Sequence, residues 1–137
     1  MNFELLEHQA DIGFRARGAT MQALFASCAS ALVAMIIEVD GIQPTEQISL
    51  AAAGGDYESL MVNWLNEVLY WVDGRRVALA GFDVVWLDPA RIECIAGGEP
   101  RDSRRHAPKR IVKAVTYHQL NVTETADGWV AEVFVDV

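Results

Sequence analysis

The sequence predicts an α+β domain, a mainly antiparallel β-sheet arrangement with two amphipathic helices packed on it. Three observations predict it. Apolar residues recur at helical spacing in two stretches, one near residue 28 and one near residue 64. From Val77 onward the pattern changes to period two and stays there. Turn signals at Asp88-Pro89 and Asp127-Gly128 then separate consecutive strands by short links, which join antiparallel neighbours.

The elements follow in order. "FELLEH" reads as a short strand, and "IGFRARG" as a second with Ile12, Phe14 and Ala16 on one face. Thr20 is the expected N-cap of the first helix, because its hydroxyl can accept from a first-turn amide. Met21, Leu24, Phe25, Cys28, Leu32, Met35 and Ile36 form the apolar stripe of that helix, and Gly41 and Pro44 close the unit. "EQISLAAA" reads as a strand bounded by Gly54-Gly55. Asp56 is the next N-cap; Leu60, Trp64, Leu65, Val68, Leu69 and Val72 make the buried side of the second helix, which stops near Asp73-Gly74. Asn63, Asn66 and Glu67 fall on its other faces. "VALAGFDVVWL", "ARIECIA", "RIVKAVTYHQLNV" and "WVAEVFVDV" read as strands. Gly97-Gly98-Glu99-Pro100 reads as a turn at the start of a long irregular piece, Gly97 to Lys109. There is no repeat and no linker, so residues 1–137 are expected to form one domain.

The composition narrows the function classes. The longest apolar run, "ALVAMII", is far short of a membrane span, and no basic-then-apolar leader pattern opens the chain, so a cytoplasmic protein without a membrane role is expected. Cys28 and Cys94 lack any paired spacing and read as reduced core thiols. A formal charge of −8 opposes a phosphate backbone, so strong direct nucleic-acid binding is not expected. The charge is uneven: "RDSRRHAPKR" holds five of the eleven basic residues and one acid, a net of +4 that leaves −12 for the rest. That segment reads either as a solvated, mobile loop or as a contact for a phosphate or an acidic partner.

Dinucleotide, P-loop, nucleophile-elbow and H-E-x-x-H patterns are missing. What remains is carboxylates, three histidines and a lysine. Asp136 lies between Val135 and Val137, on the side of its strand opposite Val133 and Val135. Buried and unpaired, it would cost several kcal/mol. Exposure at a fraying end, a cationic partner or a metal each avoids that cost. In the metal reading Asp11, Asp136 and the carboxylate of Val137 supply oxygen ligands, which suit calcium, magnesium or manganese. His8 either orients one of these carboxylates or holds a turn. His118 reads as a strand residue, and His106 suits phosphate contact more than acid–base work. Lys113 is either a strand-edge charge or a cation facing the acidic cluster.

These residues also carry a resemblance. "EHQADIGFRARGAT" before an amphipathic helix resembles the N-terminus of the archease family, as do "LMVNWLNEVLYWVD", "GEPRDSRRH", "VKAVTYH" and "FVDV" at matching order and spacing. The resemblance implies a small α+β protein that is not itself a ligase. It assists an RtcB-type GTP-dependent RNA-splicing ligase, promoting guanylylation and repeated turnover, and it binds a divalent cation commonly described as calcium. The family's metal-binding positions fall on Asp11, Asp136 and Val137, and its functional lysine on Lys113. Glu99, Asp102 and His106 match the long-loop pattern and, with His8 and Lys113, are expected at the contact with partner or nucleotide. One departure stands out: Gln9 occupies the place where the family usually has threonine. Two other functions compete with this one, a small metal-dependent phosphoester hydrolase and a chaperone-like module.

Overall fold

The structure is a computed structural model; it describes residues 2–8 and 11–137, with 7, 8 and 11 described through their backbone only. Gln9, the departure from the family pattern, therefore lies outside the described residues. The elements are β1 (Phe3–His8), β2 (Asp11–Gly18), α1 (Met21–Ile36), β3 (Glu46–Ala53), α2 (Tyr57–Leu69), β4 (Val77–Asp88), β5 (Arg91–Pro100), β6 (Ala114–Val115), β7 (Asn121–Thr125) and β8 (Gly128–Asp136). A π-helical turn, Tyr70–Gly74, extends α2.

Strand pairing among the described residues is antiparallel throughout. One sheet runs β1-β2-β8-β6, with β7 also on β8; the other runs β3-β5-β4. Helix α1 packs on β2 of the first sheet and β4 of the second, and α2 packs on β3 and on α1. This α+β arrangement is the predicted class.

Local chemistry explains the helices. The Thr20 hydroxyl accepts from the Ala23 amide at 3.1 Å. Asp56 and Ser59 form a reciprocal capping box at the start of α2, with Ser59 N–H to Asp56 Oδ1 at 2.8 Å and Asp56 N–H to Ser59 Oγ at 3.1 Å. The predicted stripe of α1 is buried from Leu24 to Ile36, with Met21 half-buried. Contact with both sheets also buries Ala29, Ala31 and Val33, outside that stripe. Trp64 sits fully in the core because its indole N–H donates to the Phe25 carbonyl at 3.1 Å. In β2, Gly13 lies so close to β8 that a Cβ there would collide with the Val133 carbonyl.

Four sequence expectations need correction. Gly97 to Pro100 are not a turn; they continue β5, Gly97 and Gly98 pairing with both β3 and β4 and Glu99 and Pro100 with β4. The irregular piece therefore begins at Arg101. The expected strand "RIVKAVTYHQLNV" splits into β6 and β7, with Gln119 at φ 54° in the turn between them. His118 consequently lies in that turn, exposed, and not in a strand. The β7–β8 hairpin pairs Thr125 with Gly128, so Ala126 and Asp127 form the turn and Gly128 alone takes positive φ, at 136°.

Candidate functional site

Register decides which residues meet. His8, the last residue of β1, stands opposite Asp11, the first of β2. Ile12 stands opposite Val135, so the next positions outward on those two strands are Asp11 and Asp136. Asp136 in turn stands opposite Ala114, and the Lys113 N–H donates to the Asp136 carbonyl at 2.7 Å. Four neighbouring strands thus bring the backbone of His8, Asp11, Asp136 and Lys113 to one end of one sheet. The side chains of His8 and Asp11 lie outside the described residues.

The described side chains at this end are open to water. Asp136 and Lys113 are exposed, and Val137 is 49% exposed. Val133 and Val135 turn into the core, while Phe134 on the other face meets the ring of His118 edge-on at 6.4 Å between centroids. Ile111 and Tyr117, which flank β6, are also exposed. The end therefore combines carboxylate and ammonium groups with apolar surface. Among the described residues no three His, Cys, Asp or Glu side chains are placed to hold a metal ion. Asp136 offers carboxylate oxygens here, and that chemistry fits a hard cation.

β6 is two residues long and needs support. Asn66 of α2 supplies it. Its Nδ2 donates to the Val115 carbonyl at 3.1 Å and its Oδ1 accepts from the Val115 N–H at 3.0 Å. The side-chain amide thus takes the place of a neighbouring strand. Sequence reasoning placed Asn66 on a non-core face and missed this; a polar residue among helix positions carries no signal for a partner 49 residues away.

The basic loop is built rather than loose. Glu99 and His106 are 3% and 1% exposed. Arg105 grips the Glu99 carboxylate with both terminal nitrogens, at 2.7 and 3.0 Å, and the Gln43 N–H reaches it at 2.6 Å. His106 Nε2 lies 3.0 Å from the same carboxylate, and its Nδ1 accepts from the Asp102 N–H at 3.0 Å. That second bond fixes the tautomer with the proton on Nε2, donating to Glu99. Arg105, then the Gln43 amide, hold the Glu99 carboxyl down at about 2. Glu99 and His106, expected at a contact surface, are buried here and hold the loop's shape. Asp102 stays half-buried, its carboxylate accepting from the Arg104 N–H at 2.9 Å. The loop is solvated at Ser103, Arg104, Arg105, Ala107, Pro108 and Lys109, but it is pinned, because Glu99 of β5 and His106 within the loop are buried against each other.

Fold and site together define a class: a small α+β domain in which β2 and β8, distant in sequence, lie side by side and bring acidic positions to one sheet end. The description "Archease protein family (MTH1598/TM1083)" belongs to the family model that matches residues 3–137. The chain belongs to the archease family. It is 35% identical over 140 residues to the protein archease of Methanopyrus kandleri, covering 100% of both chains. It is 34% identical to that of Pyrococcus furiosus, covering 98% of each. Among solved structures, it resembles the solution structure of Methanobacterium thermoautotrophicum protein 1598, with a TM-score of 0.76 at 23% identity and 99% coverage of both chains. It also resembles the crystal structure of a Thermotoga maritima protein described as an archease and possible chaperone, with a TM-score of 0.61 at 18% identity, covering 96% of this chain and 94% of that one. At those identities the two structures speak to the fold alone.

Proposed function

We propose that this chain is a non-catalytic activator of an RtcB-type GTP-dependent RNA-splicing ligase, promoting the ligase's guanylylation and turnover through a divalent-cation site. One observation carries the reading: the strand register that brings Asp11 and Asp136 to adjacent places at one sheet end, with the Lys113 backbone bonded to Asp136. Asp11, Asp136 and the Val137 carboxylate would hold the ion, most naturally calcium, with magnesium or manganese as the other hard candidates. The ion would supply fixed positive charge at an otherwise acidic edge, offered to phosphate or carboxylate oxygens of the partner.

The chain's own residues do the rest. Lys113, exposed and tied to the Asp136 carbonyl through its backbone N–H, adds an ammonium to this end of the sheet, next to the strand that Asn66 clamps. Exposed Ile111, Tyr117 and Val137 give a protein partner apolar surface to bury around this edge. A net charge of −8 steers the chain toward a basic, RNA-handling enzyme. The Glu99–Arg105–His106 network sets the shape of the neighbouring loop.

The test uses purified chain, an RtcB-type ligase and radiolabelled GTP. Wild type accelerates covalent guanylylation of the ligase; Asp136→Asn and Asp11→Asn keep the fold, weaken calcium binding by titration calorimetry and lose the acceleration. Full acceleration by both variants removes the mechanism. Metal-dependent phosphoester cleavage by the chain alone would favour the hydrolase, and suppression of client aggregation insensitive to Asp136→Asn would favour the chaperone-like module.

A further inference from the structure

A groove of about 320 Å³ opens between the turn after α2 and the long loop. Its lining includes Arg76, Arg101, Lys109 and Arg110 against the single carboxylate of Asp73, with Ile111 at one side. Four cations around one concavity are notable in a chain of formal charge −8.

The groove's walls are fixed. Arg101, 6% exposed at its side chain, donates to the Val72 carbonyl at 3.1 Å and to Asp73 Oδ1 at 2.8 Å, tying the loop to the end of α2. On the other side the Lys109 N–H donates to the Ile36 carbonyl at 2.8 Å, and the Glu38 N–H to the Ala107 carbonyl at 2.9 Å. Positively charged side chains are therefore gathered on a rigid frame, before any ligand arrives.

Arg76 supplies the second observation. Its φ is 58°, in the left-handed region where a β-carbon is crowded and glycine is the unstrained choice. The Arg101 N–H braces it with a bond to its carbonyl at 2.8 Å. Strain of this kind collects where a side chain has work to do. What arginine offers over glycine at this point is an exposed guanidinium on the groove rim.

We propose that this groove binds the phosphate groups of a nucleotide-type ligand. Guanidinium forks match phosphate oxygens in pairs, and a lysine adds a point charge. The acidic remainder of the chain is screened beyond about 8 Å at physiological salt, so a small anion in the groove is governed by the nearby cations. The same phosphate chemistry occurs in a free nucleotide and at the end of an RNA strand. The inference does not draw on the ligase reading, and none of the lining residues belongs to the proposed cation site.

The test titrates the full chain with inorganic pyrophosphate, read by calorimetry and by amide shifts in nuclear magnetic resonance. Binding is expected to weaken with added salt and to move the amides of Arg76, Lys109 and Arg110. Arg76→Gly removes the charge and relieves the strain, so it should bind about tenfold more weakly while its Tm holds or rises. Arg110→Gln should weaken binding similarly. Displacement of pyrophosphate by GTP or by a short single-stranded RNA then identifies which source is preferred. Absence of binding at millimolar pyrophosphate, unchanged affinity in the Arg76→Gly/Arg110→Gln double variant, or an acidic peptide that outcompetes pyrophosphate would each overturn the proposal.

Discussion

Replacing Asn66 by alanine tests how the site edge is held. The substitution removes both hydrogen bonds to Val115, at 3.1 and 3.0 Å, and leaves no substitute at a residue that is 3% exposed. At roughly 1 kcal/mol for each bond the expected loss is about 2 kcal/mol, rising where the freed backbone groups stay dry. For a chain of this length that corresponds to a fall in Tm of roughly 6–10 °C. The damage should be local as well as global. β6 is two residues long and is fastened on one side by β8 and on the other by Asn66. Without the clamp, the Lys113 amide, now bonded to the Asp136 carbonyl at 2.7 Å, should exchange with solvent at least about tenfold faster. Thermal unfolding by circular dichroism gives the first quantity and hydrogen exchange the second. A variant that melts within about 1 °C of wild type, with Lys113 protection intact, would refute the view that a helix side chain stands in for a strand here.

Two further outcomes follow from buried groups. The Glu99 carboxyl is held down from 4.5 to about 2, chiefly by Arg105, so its ionised form stabilises the fold fully above about pH 4.5 and that contribution is lost as pH falls toward 2. Urea midpoints measured between pH 6 and pH 2.5 should fall steeply for wild type and less steeply for Glu99→Gln; parallel curves would contradict this. Cys28 and Cys94 are buried and unpaired, with burial pushing the Cys94 thiol up to about 12 and Cys28 higher still. Neither should react with a thiol reagent until the chain unfolds, and rapid labelling of the native chain would show that the core opens at α1 or β5.

Much of the architecture was legible because its signals are local. Thr20 and Asp56 announce helix starts through side chains that reach amides three residues on. The alternation of Ile12, Phe14 and Ala16 assigned their shared face before any partner strand was known. Two failures share a cause. Gly97-Gly98 looked like a turn because glycine is a poor strand former, yet close packing calls for it: a Cβ on Gly97 would press on Pro44, and one on Gly98 on Ile48 and Val77. The stretch after Arg110 looked like one strand because its pattern alternates, but Asn66 and β8 capture only Ala114–Val115. Both outcomes depend on neighbours far away in sequence, which periodicity cannot see. The site behaves likewise: Asp11 and Asp136 were recognisable as chemistry, whereas their adjacency rests on the pairing of β2 with β8. Glu99 and His106 were recognisable as unusual, and their inward orientation follows from Arg105 and Gln43, which no spacing rule connects to them.

Three strands, β2, β6 and β7, pair with β8, and β8 comes after all of them in the chain. During synthesis the opening hairpin of β1 and β2 must therefore wait, with one edge unpaired, while more than a hundred residues emerge. The three-stranded β3-β5-β4 unit has no such dependence and can assemble meanwhile. Emergence of β8 would then complete the larger sheet and place Asp136 beside its neighbours in a single event, so a nascent chain would acquire this acidic edge only once β8 is available.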